Sequence, residues 1–222
     1  MSRNFLTPIV LPAGTASNAP LNLQAGANLS TAMAGAVEYD GKVLYSTPAG
    51  RGVSPSMMLY RLDSGLVGSN VNTVQAVFGV GLTLAANTVY AFDYNFSMTK
   101  TAGATAHTAG LGFGGTATVN NIYYAGAVVS VGSTLPNVTT TNSVVTNTSA
   151  SNFTTGGSIN VAVAYRTFVL NGTVSINAGG TFIPQYTLSA APGGAYTTVA
   201  GSYFAIWPIG GAGANTSVGP WA

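Results

Sequence analysis

One histidine, four carboxylates and no cysteine make up the obvious chemistry of this sequence. The histidine is His107, in Ala-Thr-Ala-His-Thr-Ala, and the carboxylates are Glu38, Asp40, Asp63 and Asp93. Acyl transfer needs a serine, a base and an orienting acid within hydrogen-bond reach of one another. His107 with Asp63 or Asp93 and one of many serines is arithmetically possible, but no Gly-x-Ser-x-Gly elbow presents a serine. Glu38 and Asp40 lie two residues apart beside a turn. A glycosidase pair needs a cleft that a short hairpin does not make, so turn chemistry at Asp40 and a solvated Glu38 are expected instead. The lone histidine leaves only an all-oxygen metal site, and no Asp-rich loop supplies one. The glycine pairs read as turns, since no Gly-x-x-x-x-Gly-Lys loop follows a strand. The expectation is a chain with no catalytic residues, no cofactor site and no metal site.

Asp93 stands apart, because it lies inside the best-patterned stretch of the chain. In Thr88–Lys100, Tyr90, Phe92, Tyr94, Phe96 and Met98 share one parity, while Val89, Ala91, Asp93, Asn95 and Ser97 share the other. Side chains alternate across a strand, so this pattern predicts a strand with one heavily buried face. A second alternating run, Asn160–Asn171, carries Arg166. A carboxylate shielded from water needs a partner, and a structural ion pair between Asp93 and Arg166 is expected, the alternative being that both simply face solvent.

Five large side chains on one face need a second layer, and most of the chain reads as strands. Asp40-Gly41 predicts a hairpin within Ala36–Ser46, and Ser46–Pro55, with three prolines or glycines in its middle, reads as a linker. From Ser56 onward, strand-like runs alternate with Gly/Asn/Ser turns, with breaks expected at Gly114-Gly115, Asn120-Asn121 and Gly179-Gly180. About eight strands at this spacing predict an all-β antiparallel sandwich of the jelly-roll kind. The domain reading is an extended anchoring arm with a β-hairpin over residues 1–50 and a jelly roll over 51–222. The arm shows no periodicity and holds Pro8, Pro12 and Pro20, yet keeps Phe5, Leu6, Ile9, Val10, Leu11, Leu21 and Leu23. Such a segment cannot build a core of its own and is expected to lie on a partner's surface.

Composition points the same way. Charged residues make up 5% of the 222 residues and hydrophobic ones 47%. So few charges give little colloidal repulsion and little protection of sheet edges, which favours an obligate oligomer. The six basic residues are scattered, so no nucleic-acid interface is expected. No apolar run approaches the roughly 18 residues of a membrane span, and Pro8 and Pro12 interrupt the N-terminal apolar stretch, so neither a membrane segment nor a signal peptide is expected.

Two parts of the chain resemble known sequences. Residues 13–23, Ala-Gly-Thr-Ala-Ser-Asn-Ala-Pro-Leu-Asn-Leu, and 34–45, Ala-Gly-Ala-Val-Glu-Tyr-Asp-Gly-Lys-Val-Leu-Tyr, resemble the leader of tailed-bacteriophage appendage and decoration proteins. The opening Ser-Arg-Asn-Phe-Leu-Thr-Pro is similar to the start of phage tail-fibre-like proteins. From about Tyr60 on, Tyr90-Ala-Phe, Gly180-Thr-Phe-Ile-Pro-Gln185 and Gly201-Ser-Tyr-Phe-Ala-Ile-Trp-Pro-Ile-Gly210 resemble trimeric jelly rolls of the tumour-necrosis-factor and complement-globular-head type. The resemblance implies a structural protein on the exterior of a virion, with no active site. It also implies a homotrimer with aromatics in the core or near the axis, here Tyr90, Phe92, Tyr94, Phe96, Phe204 and Trp207. The partners implied are other virion proteins. One short arm, one domain and no heptad stalk favour capsid decoration, as a cement protein or short head fibre bound to the major capsid protein. The alternatives are a tail-fibre or baseplate knob, and binding of a host-surface glycan through exposed aromatics such as Tyr123, Tyr124 or Trp207.

Overall fold

A computed structural model describes residues 10–48, 50–54, 56–131, 143–151, 153–215 and 218. The chain divides into two compact units, residues 1–54 with 218–222, and residues 55–217.

The first unit is built on the expected hairpin. Strands β1 (Val37–Tyr39) and β2 (Leu44–Ser46) pair antiparallel across Asp40-Gly41, with Gly41 at a φ of 91° that an L side chain rarely adopts. Asp40 closes the turn: its Oδ1 accepts the N–H groups of Lys42 (2.8 Å) and Val43 (2.7 Å), and its Oδ2 accepts the Tyr45 hydroxyl at 3.0 Å. The expected linker contains a third strand, β3 (Gly52–Ser54), paired with β2. The unit boundary therefore falls after Ser54 rather than after residue 50.

Glu38 is not solvated as expected. It accepts Arg51 Nε at 2.9 Å and the Leu29 N–H at 2.6 Å, while Arg51 Nη2 donates to the Leu29 carbonyl at 2.6 Å. Together with Gly26 N–H to Tyr39 O (3.0 Å) and Gly35 N–H to Thr47 O (2.7 Å), these bonds tie residues 26–36 to the three-stranded meander. The free part of the arm is thus shorter than the sequence suggests. Over residues 10–25 no strand forms. Val10, Leu11 and Leu21 are exposed there, Val10 at 88%, and Leu23 is half-buried. Phe5, Leu6 and Ile9 lie outside the described residues.

The second unit holds β4 (Met58–Arg61), β5 (Leu66–Val67), β6 (Gln75–Ala76), β7 (Leu82–Leu84), β8 (Thr88–Lys100), β9 (His107–Gly114), β10 (Thr118–Val131), β11 (Ser143–Asn147), β12 (Phe153–Ile159), β13 (Ala164–Ala178), β14 (Gly180–Leu188), β15 (Thr197–Thr198) and β16 (Tyr203–Gly211). Every pairing is antiparallel. The larger sheet runs β4-β16-β8-β13-β10-β11, with β15 and β5 continuing the β16 side along the far end of β8. The smaller sheet runs β6-β14-β9-β12, with β7 also on β14.

Four of these pairings, β4 with β16, β6 with β14, β8 with β13 and β9 with β12, join early strands to late ones in nested order. A long antiparallel ribbon rolled into two sheets has that order, and the fold is a jelly roll. The β10–β11 hairpin is inserted at the tip of the ribbon, between β9 and β12, and returns to the larger sheet beside β13.

The core lies between the sheets. Along β8 the burial alternates as expected, with Tyr90, Phe92, Tyr94, Phe96 and Met98 all at most 4% exposed. Phe168, Leu170 and Val174 of β13 extend that face, and Leu111, Phe113, Phe182, Tyr186 and Leu188 supply the opposite one. Tyr90, Phe92, Tyr94, Phe96 and Phe204 are therefore core residues of the jelly roll itself, between its two sheets, rather than residues of an exposed surface. Trp207 of β16 is half-buried. The break expected at Asn120-Asn121 is a bulge within β10 rather than a turn.

Candidate interaction surfaces

The titratable groups are distributed by strand parity. Arg166 shares the parity of Phe168 and Leu170, pairs with Met98, and is 2% exposed. Asp93 pairs with Asn171 on the outward parity and is exposed. The two lie on opposite faces and five pairs apart in register, about 17 Å along the strands at ~3.4 Å per residue. The expected ion pair between them does not form.

Arg166 instead belongs to a buried basic cluster at one end of the sandwich, with Lys100 and His107. Lys100 Nζ donates to the carbonyls of Val161 (2.6 Å), Gly103 and Ala102 (3.4 Å), joining the β8–β9 and β12–β13 loops. His107 Nδ1 lies 2.6 Å from the Thr105 carbonyl, so it carries the proton, and Nε2 accepts the Tyr196 hydroxyl at 2.8 Å. Both ring nitrogens are thus engaged with groups other than Asp63 or Asp93.

Burial lowers the His107 pKa below its usual 6.5, and the charges of Lys100 and Arg166 lower it further, against the opposing pull of the Thr105 carbonyl. The unfolded chain therefore takes up a proton on His107 more readily than the folded one. Stability is complete above about pH 6.5 and is lost as pH falls through the folded-state pKa. Glu38 and Asp40 act at lower pH. Glu38 is held below 4.5 by the Leu29 N–H and by Arg51. At Asp40 the N–H groups of Val43 and Lys42 and the Tyr45 hydroxyl outweigh burial and hold it below 3.8. Their contribution is present above those ordinary values and lost below the lowered ones. In urea titrations the midpoint of the jelly roll is expected to fall between pH 7 and pH 5. His107→Gln should flatten that fall, and an unchanged slope in the variant would assign it elsewhere.

Two features stand out on the surface of the jelly roll. The first is the β4 edge of the larger sheet. All four of its residues are exposed, and Met58, Leu59 and Tyr60 are large and apolar. A hydrophobic strand paired on one side only, as β4 is with β16, is an edge of the kind that invites association. Beside it, a cleft of about 170 Å³ is lined by Met58, Tyr60, Phe78, Leu82, Phe204 and Ile206, among others.

The second is the outward face of the larger sheet. Registers place Trp207, Ala91, Thr173 and Tyr123 in one row across β16, β8, β13 and β10, and Ala205, Asp93, Asn171 and Ala125 in the next. At the other side of the Trp207 row, two bulges face each other. β10 slips at Asn120, between Val119 and Asn121, and β16 slips at Ile209, between Pro208 and Gly210. Between them lies a groove of about 540 Å³ lined by Val89, Asn120, Asn121, Thr173, Ser175, Ile209 and Gly213–Asn215. A bulge re-aims the residue it inserts, and here one places an amide and the other an apolar side chain at the same groove. Of the three aromatics named for glycan binding, Tyr123 is exposed on β10, Trp207 is half-buried on β16 and Tyr124 is buried, and all three lie on strands rather than in loops.

Comparisons with protein-family models, with curated proteins and with solved structures return no match to this chain.

Proposed function

We propose that this chain is a non-enzymatic structural protein of a bacteriophage virion, a homotrimeric jelly roll held to the capsid exterior by its N-terminal arm, of the cement or short head-fibre kind. The observation that carries this reading is that each unit leaves a large apolar surface uncovered: the arm at Val10, Leu11 and Leu21, and the jelly roll at Met58, Leu59 and Tyr60. Burial would contribute about 1.5–3 kcal/mol per large side chain, offset in the arm by about 1–2 kcal/mol per residue of backbone ordering. A single arm is therefore a weak anchor, and three arms on one trimer act together. The jelly-roll fold and the leader-like residues 13–23 and 34–45 support the same reading. The engagement of both His107 nitrogens supports a structural role for the only histidine.

Deleting residues 1–25 while keeping the tied segment 26–36 tests this. The truncated protein is expected to sediment as a trimer and to lose binding to the particle. A monomer at micromolar concentration in the intact protein, or unchanged occupancy of the truncated one, would overturn the reading. Binding confined to tails in labelled electron micrographs would place it as a tail-fibre or baseplate knob instead.

A further inference from the structure

We propose that the groove between the two bulges binds a neutral saccharide. The side chains that line it are uncharged: the amides of Asn120, Asn121 and Asn215, the hydroxyls of Thr173 and Ser175, and the apolar Val89 and Ile209. Amides and hydroxyls both donate and accept hydrogen bonds, which suits a ligand whose hydroxyls do the same. Asn120 and Asn121 are exposed. Ser175 is 5% exposed and forms part of the floor, with Asn120 Nδ2 at 3.4 Å from its Oγ, a long contact that a ligand hydroxyl could shorten or replace. Val89 and Ile209 give an apolar surface for the C–H face of a sugar ring. Ala212 N–H, bonded to Asn87 O at 3.0 Å, anchors the turn that carries Gly213–Asn215 as a further wall.

The surroundings decide the ligand class. Phosphate and carboxylate ligands need cations, and no Lys, Arg or His lines the groove. The nearest charge on the β8 side of this face is Asp93, four residues along the strand from Val89, about 13 Å away. At that distance, beyond a Debye length in physiological salt, it neither repels nor hydrogen-bonds a ligand seated in the groove, and the groove itself is neutral. An extended peptide would need a free strand edge, but β8 and β13 at the groove floor are each paired on both sides. The adjacent row runs from Trp207 to Tyr123 across three strand spacings, about 14 Å, which provides room for a second ring beside the first. Aromatic side chains with a polar tip are well suited to that role.

The inference does not depend on the virion reading, because the groove belongs wholly to the jelly roll. Saturation-transfer NMR on the full chain tests it, with maltotriose, N,N′,N″-triacetylchitotriose and a galactose trisaccharide as neutral probes and sialyllactose as the acidic one. Saturation transfer to at least one neutral probe is expected, weakened tenfold or more by Asn121→Ala and by Asn120→Ala, two exposed positions whose replacement leaves the core intact. Deleting residues 1–25 should leave the signal unchanged even if it abolishes particle binding. No transfer to any neutral probe, transfer that survives both substitutions, or preference for sialyllactose would each overturn the proposal.

Discussion

Phe113→Ala is expected to destabilise the jelly roll by about 3–5 kcal/mol, the range for truncating a buried phenylalanine. Phe113 comes from the smaller sheet and reaches across the core. Its ring stacks on Phe182 at 4.7 Å and meets Tyr124 (5.4 Å), Phe92 (5.5 Å), Tyr94 (6.1 Å) and Phe204 (6.3 Å). Those partners lie on β14, β10, β8 and β16, so one ring joins both sheets. Removing it opens a cavity that the remaining aromatics, fixed on rigid strands, fill poorly. Chemical denaturation should show a lower midpoint with an unchanged slope. A loss below about 1 kcal/mol would mean that the core collapses around the gap and that Phe113 is not its bridge.

Gly103→Ala is expected to cost at least about 3 kcal/mol, through strain and a backbone clash together. Gly103 has φ of 75°, and a Cβ there would lie 2.6 Å from Gly193 Cα and from Gly194 N. These are backbone atoms of the loop that leads to Tyr196, so no side chain can rotate away. Moving the Gly103 loop would also displace two of the carbonyls that Lys100 holds, and a buried ammonium that loses acceptors is costly. Hydrogen exchange should show the damage concentrated in residues 101–106, 160–163 and 189–196. Wild-type stability in this variant would show that the loops yield freely.

Much of the jelly roll was legible because it depends on parity alone. Thr88–Lys100 forms a strand over the expected residues with the expected buried face. The Asp40-Gly41 hairpin was legible because its turn chemistry is local. The Asp93–Arg166 pair failed because the face on which Arg166 lies depends on register. Arg166 shares the parity of Ala164, Phe168 and Leu170, but Val161, Val163, Tyr165 and Val169 make the other parity equally apolar, so only the register with β8 shows that Arg166 faces inward while Asp93 faces out. What was not legible depends on register. The strand Gly52–Ser54 hides among glycines and prolines because its pairing with β2 supplies what propensity does not. The two bulges that frame the groove appear only once β10 and β16 are aligned with their neighbours.

The nested pairing of early with late strands also governs how the chain is made. Met58 of β4 pairs with Ile206 of β16, about 150 residues later, and such long-range contacts slow folding to milliseconds or longer. During synthesis β8 emerges well before β13 and β16, the strands that flank it. A nascent chain therefore carries an aromatic strand with neither neighbour in place, a state prone to aggregation. The low charge of the sequence offers little defence at that stage, so the yield of native protein should depend on translation rate and on chaperone supply more than on the stability of the finished fold.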